Sequence, residues 1–167
     1  MISLRPASPE DYPEIRYILE RAFDQRNEAD LVEQLRAGGF DALELVAESG
    51  GCLAGHIFYS PLPIEAPSRT VRAAALAPLA VHPDFQRRGI GGALIHMSIP
   101  MLAHSGFEAI VVLGHPDYYT RFGFSPDAAS SLRHPFPPGP HFMALELDPG
   151  VLENFPGQVR YPPPFGL

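Results

Sequence analysis

Apolar residues along this chain change period several times, and each change predicts an element. Tyr12, Ile15, Leu19, Ala22 and Phe23 recur at helical spacing, which predicts an amphipathic helix over residues 9–24. Ser8 stands at its N-cap and Pro9 at its first helical position, with Asp11 following. Leu31, Val32 and Leu35 give one apolar face to a second short helix, Glu28 to Arg36, which Gly38-Gly39 stops. Ile2 to Arg5, Leu43 to Glu48 and Cys52 to Tyr59 read as strands. Ser49-Gly50-Gly51 joins the last two in a tight hairpin. Pro61 to Ser68 reads as a loop.

Thr70 to Val81 is a long strand-like run interrupted by Pro78. Proline donates no ladder hydrogen bond, so something other than a neighbouring strand should face part of this run. A helix over 92–105 follows, carrying Pro100, which should kink it, and Gly106 ends it. Phe107 to Leu113 is apolar throughout and predicts a strand buried on both faces. Gly114 to Arg121 reads as a turn into a short helix, closed by Phe122-Gly123-Phe124. Residues 125–140 form a Pro-rich loop, and His141 to Leu147 is another strand. Val159-Arg160-Tyr161 has weak strand character. The order is α/β with a mixed sheet: early antiparallel hairpins, then one strand-helix-strand crossover. No repeat and no linker divides residues 1–167, which read as a single domain.

Composition narrows the function more than the fold. A hydrophobic fraction of 46% and a charged fraction of 19% fit an ordinary globular domain. The formal net charge of −7 argues against a nucleic-acid binder and tilts faintly toward a cationic acceptor. No apolar run approaches the ~20 residues of a membrane span, and the N-terminus lacks a signal-peptide core, so a cytoplasmic location is expected. Cys52 is the sole cysteine and reads as a small core residue. The seven histidines include no H-E-x-x-H and no zinc-spaced cluster, so no metal is expected. His82, His96 and His104 read as loop or helix-face residues. Asp24, Glu28 and Asp30 read as a solvated loop and helix start.

The chemistry concentrates at Gln86-Arg87-Arg88-Gly89-Ile90-Gly91-Gly92, between a strand and a helix. A glycine-rich turn at a helix start presents backbone N–H groups to an anion, and phosphate fits such a turn. The run lacks the lysine of a P-loop and the third glycine of a Rossmann turn. What remains is Q-x-x-G-x-G behind Leu79-Ala80-Val81-His82-Pro83.

In that form, Leu79 to Leu94 resembles the acetyl-coenzyme-A-binding motif of the GNAT acetyltransferase superfamily. Tyr119-Thr120-Arg121-Phe122-Gly123-Phe124 resembles its later Y-x-x-x-G-F segment. The segment Leu113 to Tyr119, with Arg121 to Phe124, is similar to a bacterial branch of the YhbS type. The resemblance implies a central mixed sheet flanked by helices and splayed between the fourth and fifth strands. It implies acetyl-CoA as cofactor, bound by Gln86, Arg87, Arg88, Gly89, Ile90, Gly91, Gly92 and Ala93, with its pyrophosphate on the main chain of Arg87, Arg88, Gly89, Gly91 and Gly92 and Ala93 starting the helix. It lays the pantetheine arm along Leu79, Ala80 and Val81. It also implies that the Val81 N–H polarises the thioester carbonyl, and that Tyr119 contacts the cofactor and protonates the leaving thiolate. A phenol with an ordinary pKa near ~10 can donate at neutral pH. Tyr118 reads as packing.

The general base is not legible; Glu28 and His115 are weak candidates. Many members carry an asparagine and an alanine before the tyrosine, where this chain has Val112 to Asp117, so cofactor contacts there do not carry over. The expected reaction is direct attack of a primary amine, from a small molecule or a protein, in a ternary complex. A non-catalytic CoA-binding sensor of the same fold is the alternative, and another phosphate-ligand enzyme is a third. An exposed C-terminal strand would offer a homodimer edge.

Overall fold

The computed structural model describes residues 1–167. Its elements are β1 (Ile2–Pro6), α1 (Tyr12–Phe23), α2 (Asn27–Ala37), β2 (Leu43–Ser49), β3 (Cys52–Glu65) and β4 (Thr70–Val81). Then come α3 (Ile90–His104), β5 (Ala109–Leu113), α4 (Pro116–Tyr119), β6 (Phe142–Glu146) and β7 (Gln158–Val159). The strands form one mixed sheet in the order β1-β2-β3-β4-β5-β6, with β7 on β3. The chain divides into two compact units: residues 1–59 with 77–98, and residues 60–76 with 99–167. β3, β4 and α3 each run from one unit into the other.

In the first unit, β1, β2 and the start of β3 pair antiparallel, with a register shift at Ala47/Glu48. A 3-10 turn at Pro9–Asp11 leads into α1. Here the helical spacing shows as burial: Ile15, Ile18 and Leu19 on α1 are inaccessible, as are Val32 and Leu35 on α2. The Ser8 N–H donates to the Asp11 carboxylate at 2.9 Å. The Arg5 guanidinium donates two hydrogen bonds to the same carboxylate, at 2.7 and 2.8 Å, and a third to Glu48 at 2.7 Å.

The Arg5 bonds hold the Asp11 carboxyl at a pKa of about 2. A depressed carboxyl stabilises the fold above its unfolded pKa, and that contribution fades as pH falls from about 4 toward 2. Asp11→Asn should therefore shrink the difference in unfolding free energy between pH 6 and pH 2 by about 1–2 kcal/mol. Urea titrations at both pH values measure it, and an unchanged difference would contradict the pairing.

In the second unit, β4 pairs with β5 in parallel over Ala73–Ala75 and Ala109–Val111. The pairing ends there, although β4 continues to Val81. β5 pairs with β6 antiparallel through Leu113. Leu62, Ile64, Val71, Phe142, Leu152 and Phe155 belong to its core.

Three expectations need correction. Residues 61–65 are strand, not loop: β3 runs to Glu65 with Leu62 and Ile64 buried and Pro63 exposed. Pro63 lacks an N–H, but its carbonyl accepts the Arg160 N–H at 2.9 Å, so proline is tolerated where only the acceptor is used. The C-terminal strand is not a free edge. Val159 pairs with Ile64 and also donates its N–H to the Arg133 carbonyl at 3.1 Å. Cys52 is exposed, not a core residue, because it sits at the mouth of the β2–β3 hairpin. The helix α3 continues through Pro100.

Candidate active site

The first unit holds the glycine turn. β4 ends at Val81, and the His82 N–H donates to the Ala54 carbonyl at 2.8 Å. A 3-10 turn at Pro83–Phe85 follows, capped by His82 Nδ1 accepting the Asp84 N–H at 3.0 Å. The Gln86 side-chain amide returns to the Val81 carbonyl at 3.2 Å, which ties the turn to the end of the strand. Arg87 and Gly89 both take positive φ, 64° and 77°. The first intrahelical bond of α3 runs from the Ala93 N–H to the Gly89 carbonyl at 3.0 Å. The N–H groups of Ile90, Gly91 and Gly92 therefore have no partner within the helix, and no acidic residue stands in its first turn. That donor set fits a diphosphate.

Packing fixes the start of α3. A Cβ added to Gly55 of β3 would lie 2.8 Å from Ile90 Cγ2 and 3.2 Å from Leu94 Cδ1. Glycine is what lets the helix lie this close to the strand. Ile90 itself is buried, so only its main chain can face a ligand. Arg87 and Arg88 are exposed, and the Arg88 guanidinium lies 5.4 Å from the Phe85 ring centre. Leu79 and Val81 are half-buried, while Ala80 is buried.

The second unit holds Tyr119, the last residue of α4. Its ring packs edge-on against Tyr118 at 5.0 Å and Phe124 at 5.9 Å between centres. Burial pushes its phenol up to about 12, so it is fully protonated at neutral pH. Gly114 makes the placement: a Cβ there would stand 2.5 Å from Tyr119 Cε2. That contact accounts for a glycine at this position. Gly114→Ala must displace the ring, and kcat should fall at least about tenfold with tyrosine retained. Steady-state kinetics check this, and an unchanged kcat would detach the ring's position from the reaction.

The remaining candidates fall elsewhere. The Glu28 carboxylate accepts both bonds of the Gln25 amide, at 2.9 and 3.0 Å. Asp30 pairs with Arg16 at 2.8 Å, and Asp24 ends α1 at φ 53°. The His115 carbonyl accepts the N–H groups of Tyr118 and Tyr119 at 3.1 Å, and its side chain is exposed. Tyr118 packs as expected, under the Arg121 guanidinium at 4.8 Å.

One group in the first unit escaped the sequence entirely. Arg36 of α2 donates to Glu44 of β2 at 3.1 and 2.6 Å, and its guanidinium lies 3.6 Å from the Tyr12 ring centre. His56 Nε2 of β3 donates to the same carboxylate at 2.7 Å. Burial would raise the Glu44 carboxyl, but the His56 and Arg36 bonds outweigh it and hold it below its usual value. Burial also pushes the His56 imidazole below the ordinary histidine range, against the pull of Glu44. Alternation along a strand reveals neither partner, because β3 is buried on both faces and its three-residue network spans three elements.

Comparison with known proteins decides the family. A profile described as an Acetyltransferase (GNAT) domain matches residues 3–126. The chain belongs to the GNAT acetyltransferases. Within the family it is 33% identical over 160 residues to the uncharacterised N-acetyltransferase YhbS of Escherichia coli K12, across 95% of each chain. The crystal structure of E. coli YhbS in complex with CoA superposes with a TM-score of 0.90 at 32% identity, covering 99% of this chain and 92% of that one. A GNAT acetyltransferase from Brucella melitensis in complex with acetyl-CoA gives a TM-score of 0.79 at 32% identity, covering 99% and 98%. The GNAT fold, with its parallel β4–β5 pair in a mixed sheet, is thereby the fold of this chain.

Proposed function

We propose that this GNAT domain, residues 1–167, moves the acetyl group of acetyl-CoA to a primary amine by direct attack within a ternary complex. The observation that carries this reading is the turn at the start of α3, whose free N–H groups and two positive-φ residues suit a diphosphate. Two relatives about one-third identical to this chain were crystallised with CoA or acetyl-CoA, which supports the same ligand here. The thioester supplies an activated acyl group with a good leaving group.

The chain's own residues would then divide the work. The main chain of Arg87 to Gly92, with Ala93 behind it, holds the diphosphate, and Gln86 braces the turn against Val81. Leu79, Ala80 and Val81 align the pantetheine arm, and the Val81 N–H donates to the thioester oxygen as charge builds on it. Tyr119, protonated across the whole neutral range, gives its proton to the departing sulfur.

Titration calorimetry with CoA, followed by acetyl-CoA turnover against an amine panel with free thiol measured, tests this. Saturable CoA binding and amine-dependent thiol release are expected. Absence of CoA binding would end the proposal. Binding without release from any amine would favour a CoA sensor.

A further inference from the structure

Of the seven histidines only His56 is buried, and it is fully so. Its Nε2–H is spent on Glu44, which fixes the tautomer and leaves Nδ1 as an acceptor. That Nδ1 atom is buried and has no hydrogen-bond partner in the protein. The network does not need it for charge balance, since Arg36 already neutralises Glu44 through two bonds. An orphaned acceptor in an otherwise satisfied network costs stability and calls for a use.

Its place in the sheet suggests the use. β3 and β4 are joined by a short turn closed by the Ala66 N–H on the Arg69 carbonyl at 3.0 Å, so they run antiparallel. The His82 bond to Ala54 sets their register at this end. Two residues along each strand, His56 comes level with Ala80, one residue from Val81. Gly55 faces Ile90 and Leu94 of α3, so His56 faces the opposite side of the sheet. That is the side where Arg36 of α2 and the Tyr12 ring of α1 meet Glu44. The imidazole therefore lies on the face of the two N-terminal helices, level with Ala80 of the strand proposed above to carry the pantetheine arm.

We infer that His56, oriented by Glu44, accepts the proton that the incoming ammonium must lose, through a single bridging water, and so acts as the general base of the acetyl transfer. This rests on the reaction proposed above. The carboxylate–imidazole pair is the arrangement by which a base is held in one tautomer and its cationic form stabilised.

The protons balance. The ammonium gives one proton to His56 Nδ1, and the freed amine attacks the carbonyl. The C–N bond forms, the C–S bond breaks, and the thiolate takes the Tyr119 proton. The nitrogen's second proton restores the phenol, and His56 releases its proton to solvent. Products are the amide, CoA thiol and one proton.

The groups facing the imidazole are Glu44 from β2, Arg36 from α2 and, on its own strand, Phe58. Neutral imidazole is the working form, so kcat/KM for the amine should fall as pH drops through the His56 pKa, below the ordinary histidine range. His56→Gln should leave CoA affinity within about twofold, lower kcat/KM at least about 100-fold and abolish that acidic limb. A variant that binds CoA, keeps the limb and stays within about threefold in rate would overturn the inference while leaving acetyl transfer intact. Should the variant fail to bind CoA, the wild-type protein decides. Its His56 pKa, followed by NMR of 15N-labelled histidine, must coincide with the kinetic limb, and a gap above about half a unit refutes the role. Failure of the wild-type protein to bind CoA strikes the reaction itself.

Discussion

Tyr119→Phe should slow acetyl transfer by about 100-fold while leaving CoA affinity within about twofold. The phenyl ring keeps every packing contact the tyrosine makes, with Tyr118, Phe124 and the bare backbone of Gly114. Only the hydroxyl is lost, so the variant isolates its proton. The pH profile sharpens the test. With the phenol pushed up to about 12, no part of the profile below pH 10 belongs to its titration. Phenylalanine should therefore lower the whole curve without changing its shape. A curve that changes shape below pH 10, or a rate that does not fall, would assign thiolate protonation to another group. Stopped-flow or thiol-release assays from pH 5.5 to 10 give the answer.

Gly55→Val should be the most damaging single change to the fold of the first unit. A Cβ alone already comes within 2.8 Å of Ile90 and 3.4 Å of the Ala80 carbonyl, and valine adds two methyl groups beyond it. Neither neighbour can yield cheaply: Ile90 is buried, and the carbonyl belongs to β4. Overpacking of this kind costs about 3 kcal/mol, which corresponds to a fall in Tm of about 10 °C for a chain of this size. Helix α3 can move off β3 only by carrying its first turn along. CoA affinity should therefore drop at least about tenfold, in step with stability. Thermal unfolding and calorimetry on the same sample test both halves. A Tm within about 2 °C of wild type would mean that the helix does not need this close approach.

The legible parts of this protein are those where one local rule suffices. Helical spacing placed α1 and α2, and the glycine turn announced its anion chemistry through residue type alone. The parts that misled are those where a local rule meets a tertiary exception. Pro61 and Pro63 read as loop because proline lacks a donor. The strand continues because Leu62 and Ile64 have a core to enter, and the Pro63 carbonyl still finds a partner. Cys52 sits among apolar neighbours in the chain, yet it faces outward. β7 is two residues long, too short for any pattern, and exists because Ile64 and Arg133 flank it. Gly55 and Gly114 look like ordinary glycines until α3 and the Tyr119 ring are seen against them. The Arg36–Glu44–His56 group is invisible for the same reason: eight residues separate the first pair and twelve the second, with no shared periodicity.

The family profile ends at residue 126, but the second unit's core does not. Leu132, Phe142, Leu152, Phe155 and Val159 all lie beyond it, packed with Leu62, Ile64 and Val71. A chain cut after Pro126 would keep the glycine turn, Tyr119 and the whole stretch that the family profile matches. It would also strip β6 from β5 and leave the backbone of Ala109–Leu113 as a bare apolar edge, ready to recruit other chains. The family profile is satisfied by the first three-quarters of this chain, and the last quarter completes the core of the second unit and covers the edge of β5.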